Sequence, residues 1–222
     1  SRGLGDVYKR QCPAYSLMTG FIGTAWIGKA LSDNGYTDLA YKLLQQTSYP
    51  SWLYSVEQGA TTIWERLNSY THTDGFGGNN RMNSFNHYSF GAVGAWMYGH
   101  SLGIQRDENN PAFKHFLLKP EIDPTGQMRF AKGYYDSMYG RIESSWKVEH
   151  GAVHYEFTVP GNTTALLYLP ASSARYVREN GRIITKKCKG VEYAGEENGK
   201  LLLKLQSGKY SFEVREKRVA KK

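Results

Sequence analysis

The hydrophobic pattern of this chain changes period once, close to Pro111. Upstream of it, apolar residues recur every three or four positions, as they do along one face of a helix. LMTGFIGTAWIGKALSDN, residues 17–34, predicts a first helix, with Gly35 after it as the C-cap residue. Residues 36–46 repeat the pattern, with Thr37 placed to cap a second helix and Leu39, Leu43 and Leu44 on one face. The connection is short, so the two should form an antiparallel hairpin, and Pro50 ends it. A third helix is predicted from about Ser84 to Leu102, with Asn83 at its N-cap and Gly103 closing it. Gly91, Gly94 and Gly99 inside it cost about 1 kcal/mol each relative to alanine, which suits an interior helix packed closely on others. Residues 51–82 lack a sustained period and form a loop that is long for a compact domain. Trp52, Tyr54, Trp64, Tyr70 and Phe76 make it an ordered one.

Downstream, apolar and polar residues alternate. GRIESSWKVEHGAVHYEFTVP reads as two strands around a glycine turn, NTTALLYLP as another, and Asn180-Gly181 as a hairpin turn. NGKLLLKLQSGKYSFEV adds two more, and five to eight short strands at this spacing predict an antiparallel β-sandwich. With the boundary near residues 104–111, the expected domains are an α-helical one over 12–106 and a sandwich over 107–216. REKRVAKK leaves a solvated basic tail at 217–222. The first eleven residues, SRGLGDVYKRQ, have no continuity with the chain beyond them and resemble a translated sequencing-adapter read. They are excluded from fold reasoning, and the natural chain is expected to start upstream of Cys12.

Charge narrows the function. All of the net +8 falls in residues 111–222, where basic side chains alternate with glutamates and no recognition motif accompanies them, so nucleic acid is not an expected partner. No run of 18 apolar residues occurs, so no membrane span is expected. Cys12 and Cys188 lie in different halves and do not read as a disulfide framework. His72, His87 and His100 lack metal-ligand spacing, so neither a metal nor a cofactor is expected. Aromatics make up 14% of the chain, a content that fits either a rich core or a surface for flat apolar faces such as sugars.

Acidic residues are scarce between Asp38 and Asp107: only Glu57, Glu65 and Asp74, all in the aromatic loop. Acid–base chemistry on a sugar needs carboxylates facing a glycosidic bond, with rings or hydrogen-bonding groups to hold the pyranose. Glu65, in GATTIWERL, has a second reading. Thr62-Ile63-Trp64-Glu65 matches a capping box, in which hydroxyl and carboxylate satisfy free backbone donors at a helix start. His87 likewise reads equally as a buried histidine bonded to backbone.

TGFIGT, LSDNGYTDLAYKLL, YPSWLYSVEQGATTIWER and MNSFNHYSFGAVGAWMY together resemble the C-terminal part of the catalytic domain of bacterial α-L-rhamnosidases. KPEID, YDSMYGRIESSW and VPGNTTALLYLP resemble that family's C-terminal β-sandwich, so the likeness covers residues 12–214. The resemblance implies the last third of an (α/α)6 barrel of six helical hairpins, followed by the sandwich. It implies an inverting hydrolase that releases terminal α-L-rhamnose from glycosides or polysaccharides. In that scheme Glu65 is the general base, the general acid lies on an upstream segment outside this chain, His87 contacts the bound rhamnose, and Trp52 and Trp64 wall the pocket. Two departures stand out: Leu67 and Asn68 follow Glu65-Arg66 where many members carry an aromatic, and Ser16 stands where many have histidine. The alternative is a non-catalytic carbohydrate-binding module that uses the same aromatics for stacking.

Overall fold

Residues 16–77, 81–184 and 188–215 are described by the computed structural model, and they fall into two compact units. One holds the residues through Trp96 together with Asp123–Thr125; the other holds Met97–Ile122 and the chain from Gly126 onward. The stretch 1–11, Cys12 and the tail 217–222 lie outside the described residues. Cys188 is a free thiol.

In the first unit, helix α1 (Gly20–Asp33) ends as its sequence predicts. Gly35 takes φ +80°, its N–H reaches the Ser32 carbonyl at 3.0 Å, and the Tyr36 N–H reaches that of Leu31 at 2.8 Å. This pair of bonds satisfies carbonyls left free at a helix end, and only glycine adopts the left-handed turn without cost. Helix α2 (Thr37–Gln45) follows at once. Thr37 is its first helical residue, so the N-cap position falls one residue earlier, on Tyr36. Its buried face is Ala40, Tyr41 and Leu43, with Leu39 and Leu44 half-buried, because the Tyr41 ring packs edge-on against Trp96 at 5.0 Å and turns the helix toward it. Gly28 of α1 lies against the same indole; a Cβ there would meet Trp96 Cγ at 2.7 Å.

Helix α1 inverts the usual arrangement. It buries Thr24 and Ser32 while Ile22 is 84% and Trp26 63% exposed. Ser32 is needed inside, since its hydroxyl accepts the Trp96 indole N–H at 2.9 Å.

Within the loop the structure adds a short helix, α3 (Trp52–Glu57), capped by the Ser51 hydroxyl, which accepts the Tyr54 N–H at 3.1 Å. The helix expected from Ser84 does not start there. Residues 84–88 are irregular, and Asn83 caps nothing. A 3₁₀ turn (Ser89–Ala92), one α turn (Val93–Trp96) and a π turn (Met97–Ser101) come next in succession. The backbone of 84–87 is instead bonded across to 63–65, and glycines at 91, 94 and 99 remove the propensity that would have held one regular helix.

The second unit is a β-sandwich of two sheets. One runs β1 (Ile104–Arg106), β2 (His115–Leu118), β6 (Thr164–Leu169), β10 (Lys200–Leu205), β9 (Val191–Glu197). The other runs β3 (Phe130–Ser137), β4 (Gly140–Glu149), β5 (Ala152–Val159), β11 (Gly208–Val214), β7 (Val177–Glu179), β8 (Arg182–Ile183). Three two-residue turns, His150-Gly151, Asn180-Gly181 and Asn198-Gly199, have positive φ at both positions, the turn whose twist matches paired strands. Pairing is antiparallel except at β2 and β6, which run parallel from His115 opposite Thr164 to Leu118 opposite Leu167. That pair departs from the all-antiparallel expectation, and the long chain between its strands makes it possible. Ile142, Trp146, Tyr155, Phe157 and Phe212 from one sheet, and Phe116, Leu118, Leu167, Leu201 and Leu203 from the other, are fully buried. Each contributes about 1.5–3 kcal/mol of burial.

Candidate active site

Two limbs of the irregular segment, 62–66 and 83–87, lie side by side. The Glu65 N–H donates to the Ser84 carbonyl at 2.8 Å, and the His87 N–H to the Ile63 carbonyl at 2.8 Å. The Ser84 N–H returns a bond to Glu65 Oε2 at 2.8 Å. The Thr62 hydroxyl donates to the Phe85 carbonyl. No helix begins at Thr62, so the capping box does not form; the partner of the carboxylate is a backbone amide nineteen residues on. Asn83 closes the far end, accepting from Arg66 Nε at 3.3 Å and donating to the Ser69 carbonyl at 3.1 Å.

The aromatics of the loop hold these limbs in place. Trp64 meets Phe85 edge-on at 5.2 Å, Phe85 meets Phe76 at 5.7 Å, and Phe76 meets Tyr70 at 5.3 Å. On the other side, Leu17, Leu67 and Phe90 make a small core, with Ile27 and Trp52 against it. The Trp52 indole N–H donates to the Phe90 carbonyl at 2.8 Å. Leu67, which stands where many relatives were expected to carry an aromatic, is therefore a core residue.

Glu65 is 9% exposed and lines a cavity of about 510 Å³. Oε2 is held by Ser84, while Oε1 accepts no hydrogen bond from the described residues. Around the carboxylate, the cavity is walled by Met18, Phe21, Tyr49, Arg66 and Asn68. One acidic group with one anchored and one free oxygen, set among rings, has the form required to take a proton from a water beside a sugar.

His87 does not line the cavity but stands behind its wall. Its ring stacks on Phe21 at 4.8 Å and on Tyr88 at 5.4 Å, and Nδ1 accepts the Ser89 N–H at 3.4 Å, which leaves Nε2 as the protonated donor nitrogen. Neither Trp52 nor Trp64 lines the cavity; both indoles are packed into the body of the unit. Glu57 and Asp74 are exposed and also lie off it. Phe21 and Tyr49 went unnoticed as site residues in the sequence, because a phenylalanine at helical spacing reads as core and a loop tyrosine carries no signature.

Residues 7–100 match the model of the bacterial alpha-L-rhamnosidase 6 hairpin glycosidase domain, and residues 103–183 that of the bacterial alpha-L-rhamnosidase C-terminal domain. An alpha-L-rhamnosidase of Formosa agariphila is 37% identical over 199 residues, covering 90% of this chain and 21% of its own length. The crystal structure of Streptomyces avermitilis alpha-L-rhamnosidase complexed with L-rhamnose superposes with a TM-score of 0.81 at 32% identity, over 95% of this chain and 19% of that one. The alpha-L-rhamnosidase of Dictyoglumus thermophilum gives a TM-score of 0.76 at 31% identity, over 96% and 22%. The chain thus spans about a fifth of the length of the proteins it matches.

Proposed function

This chain belongs to the bacterial α-L-rhamnosidase family, and from that premise we propose that it supplies the general base of an inverting glycoside hydrolase acting on terminal α-L-rhamnose. Glu65 removes a proton from the attacking water through Oε1, while the Ser84 amide keeps the carboxylate from rotating away. An inverting pair needs its second carboxyl about 6.5–9.5 Å off, to leave room for that water. Glu57 and Asp74 are exposed and off the cavity, which favours an acid carried by a segment outside this chain. Phe21 and Tyr49 offer rings to the sugar, and His87, outside the cavity lining, supports the Phe21 ring by stacking on it. Trp52 and Trp64 act from behind the wall, fixing the two limbs.

The observation that carries this reading is the placement of Glu65: nearly buried, anchored through one oxygen and lining an aromatic cavity. The test replaces the matching segment of the S. avermitilis enzyme with residues 16–215 of this chain. The hybrid should hydrolyse 4-nitrophenyl α-L-rhamnoside, and Glu65→Gln within it should cut kcat by about 10²–10⁴-fold with far-UV circular dichroism unchanged. Turnover close to that of the parent hybrid would remove Glu65 from the mechanism. The 222-residue chain by itself should show no turnover. Hydrolysis by it would place the acid within these residues.

A further inference from the structure

Strand pairing fixes which side chains share the solvent face of the β3–β4–β5–β11 sheet. Tyr134, Glu143, Thr158 and Lys209 fall in one cross-strand row. Lys132, Ser145, Glu156 and Ser211 fall in the next. Their neighbours in sequence, among them Ile142, Phe157 and Phe212, point the other way and are buried. Both rows line one trough of about 650 Å³, with Tyr98 and Asn180 also on its wall.

The charges across this trough cancel. Lys132 on β3 and Lys209 on β11 stand on the outer strands, and Glu143 on β4 and Glu156 on β5 stand between them. The lysines lie three strand spacings apart across the sheet, about 14 Å, and one row apart along it, about 7 Å. The rows on either side are internally paired: Arg141 with Asp136 at 2.8 Å, Lys147 with Glu149 at 2.9 Å, and His154 with Glu213 at 3.9 Å. Inside the trough the Thr158 hydroxyl donates to Glu143 at 2.6 Å, Asn180 donates to Glu179, and the Arg141 guanidinium lies 3.8 Å over one face of the Tyr134 ring. The side chains of Lys132, Ser145, Glu156, Lys209 and Ser211 have no hydrogen-bond or ion-pair partner among the described residues. Apart from the Glu143–Thr158 pair, the side-chain donors and acceptors of these two rows have nothing of the protein's own to bind.

A polyanion would meet Glu143 and Glu156, and a polycation would meet the lysines. A neutral polyol chain matches, because each hydroxyl both donates and accepts. Tyr98 and Tyr134, both about half exposed, offer aromatic surface to sugar C–H groups, Tyr134 by the edge and the face that Arg141 leaves uncovered. We infer that this trough is a second saccharide site, separate from the Glu65 cavity, which takes a short neutral oligosaccharide laid across the strands from β3 to β11.

Affinity electrophoresis of the 222-residue chain through native gels tests this. The gels would contain galactomannan, xyloglucan, arabinan or mixed-linkage β-glucan, with polygalacturonate as the acidic comparison. At least one neutral polymer should retard the chain. The double variant Glu156→Ala/Lys209→Ala should abolish that retardation, Tyr134→Ala should weaken it, and Glu65→Gln should leave it intact. All these trough positions are on the solvent face, and an unchanged melting curve shows that the variants fold. Retardation by no neutral polymer, by polygalacturonate only, or to the same extent in the double variant and in Tyr134→Ala would overturn the site. So would a loss on Glu65→Gln, which would place the sugar in the other cavity. No reading depends on hydrolysis, so the outcome is independent of the catalytic proposal.

Discussion

Glu65 bonds a backbone amide as well as facing the cavity, and two substitutions separate these roles. Glutamine keeps an oxygen for the Ser84 N–H, whereas alanine removes the acceptor of this part-buried bond, a loss of about 0.5–1.5 kcal/mol. Glu65→Ala should therefore lower the melting temperature and speed hydrogen exchange at Ser84, while Glu65→Gln changes neither. Phe21 is the wall on which His87 rests, so Phe21→Ala in the hybrid enzyme should raise KM about three- to tenfold while kcat changes less. Equal effects of Phe21→Ala on kcat and on kcat/KM would contradict a ground-state binding role. The sequence made Glu65 conspicuous through the scarcity of other acids around it. It misassigned the local partner, because Thr62 and Glu65 have capping-box spacing while their true contacts, Phe85 and Ser84, come from the other limb. Nothing in a nine-residue window records a pairing made twenty positions away.

At the scale of elements, turns were legible wherever glycine had a conformational task. Gly35, Gly181 and Gly199 all adopt positive φ in the turns that their sequences signal. Gly103 is the sharpest case: at φ +74° a Cβ would lie 2.1 Å from Pro120 N. Gly103→Ala should cost about 3 kcal/mol or more, read as a lowered urea midpoint. The third helix was not legible, since its first residues are held by the opposite limb. Strands β1, β2, β3 and β9 were missed as well. The first two are short, while β3 and β9 are edge strands with long exposed stretches that blur alternation. Strand β11 carries a pH effect. Burial, reinforced by the Glu179 charge, raises the Tyr210 phenol above its ordinary value. The unfolded chain's phenol ionises near pH 10, so above that the unfolded state holds fewer protons and is favoured; stability should fall as pH climbs past about 10. Tyr210→Phe removes the hydrogen bond to the Gln206 carbonyl and should cost about 1 kcal/mol at neutral pH. It should also make the alkaline decline shallower in urea titrations.

For the whole molecule, the exposed face of α1 is the governing feature. Its large apolar residues Ile22 and Trp26 stand in solvent, near exposed Met18 and Phe21. Patches of this kind drive association. The 222-residue chain alone should elute from size-exclusion columns as larger species and bind a hydrophobic dye, and Ile22→Lys with Trp26→Lys should shift it toward the monomer. An unaltered elution volume in that double variant would mean that another surface is responsible. The parallel seam between β2 and β6 bears on how the sandwich comes into being. Hairpins such as β4–β5 can zip from a two-residue turn, but β2 must wait while β3, β4 and β5 are threaded into the opposite sheet before β6 arrives beside it. Contacts between distant stretches of chain form late, because closing the intervening loop comes first. In pulse-labelling during refolding, amides of the β4–β5 hairpin should become protected earlier than those that β6 shares with β2, so the chronology of assembly is written into one reversed strand direction.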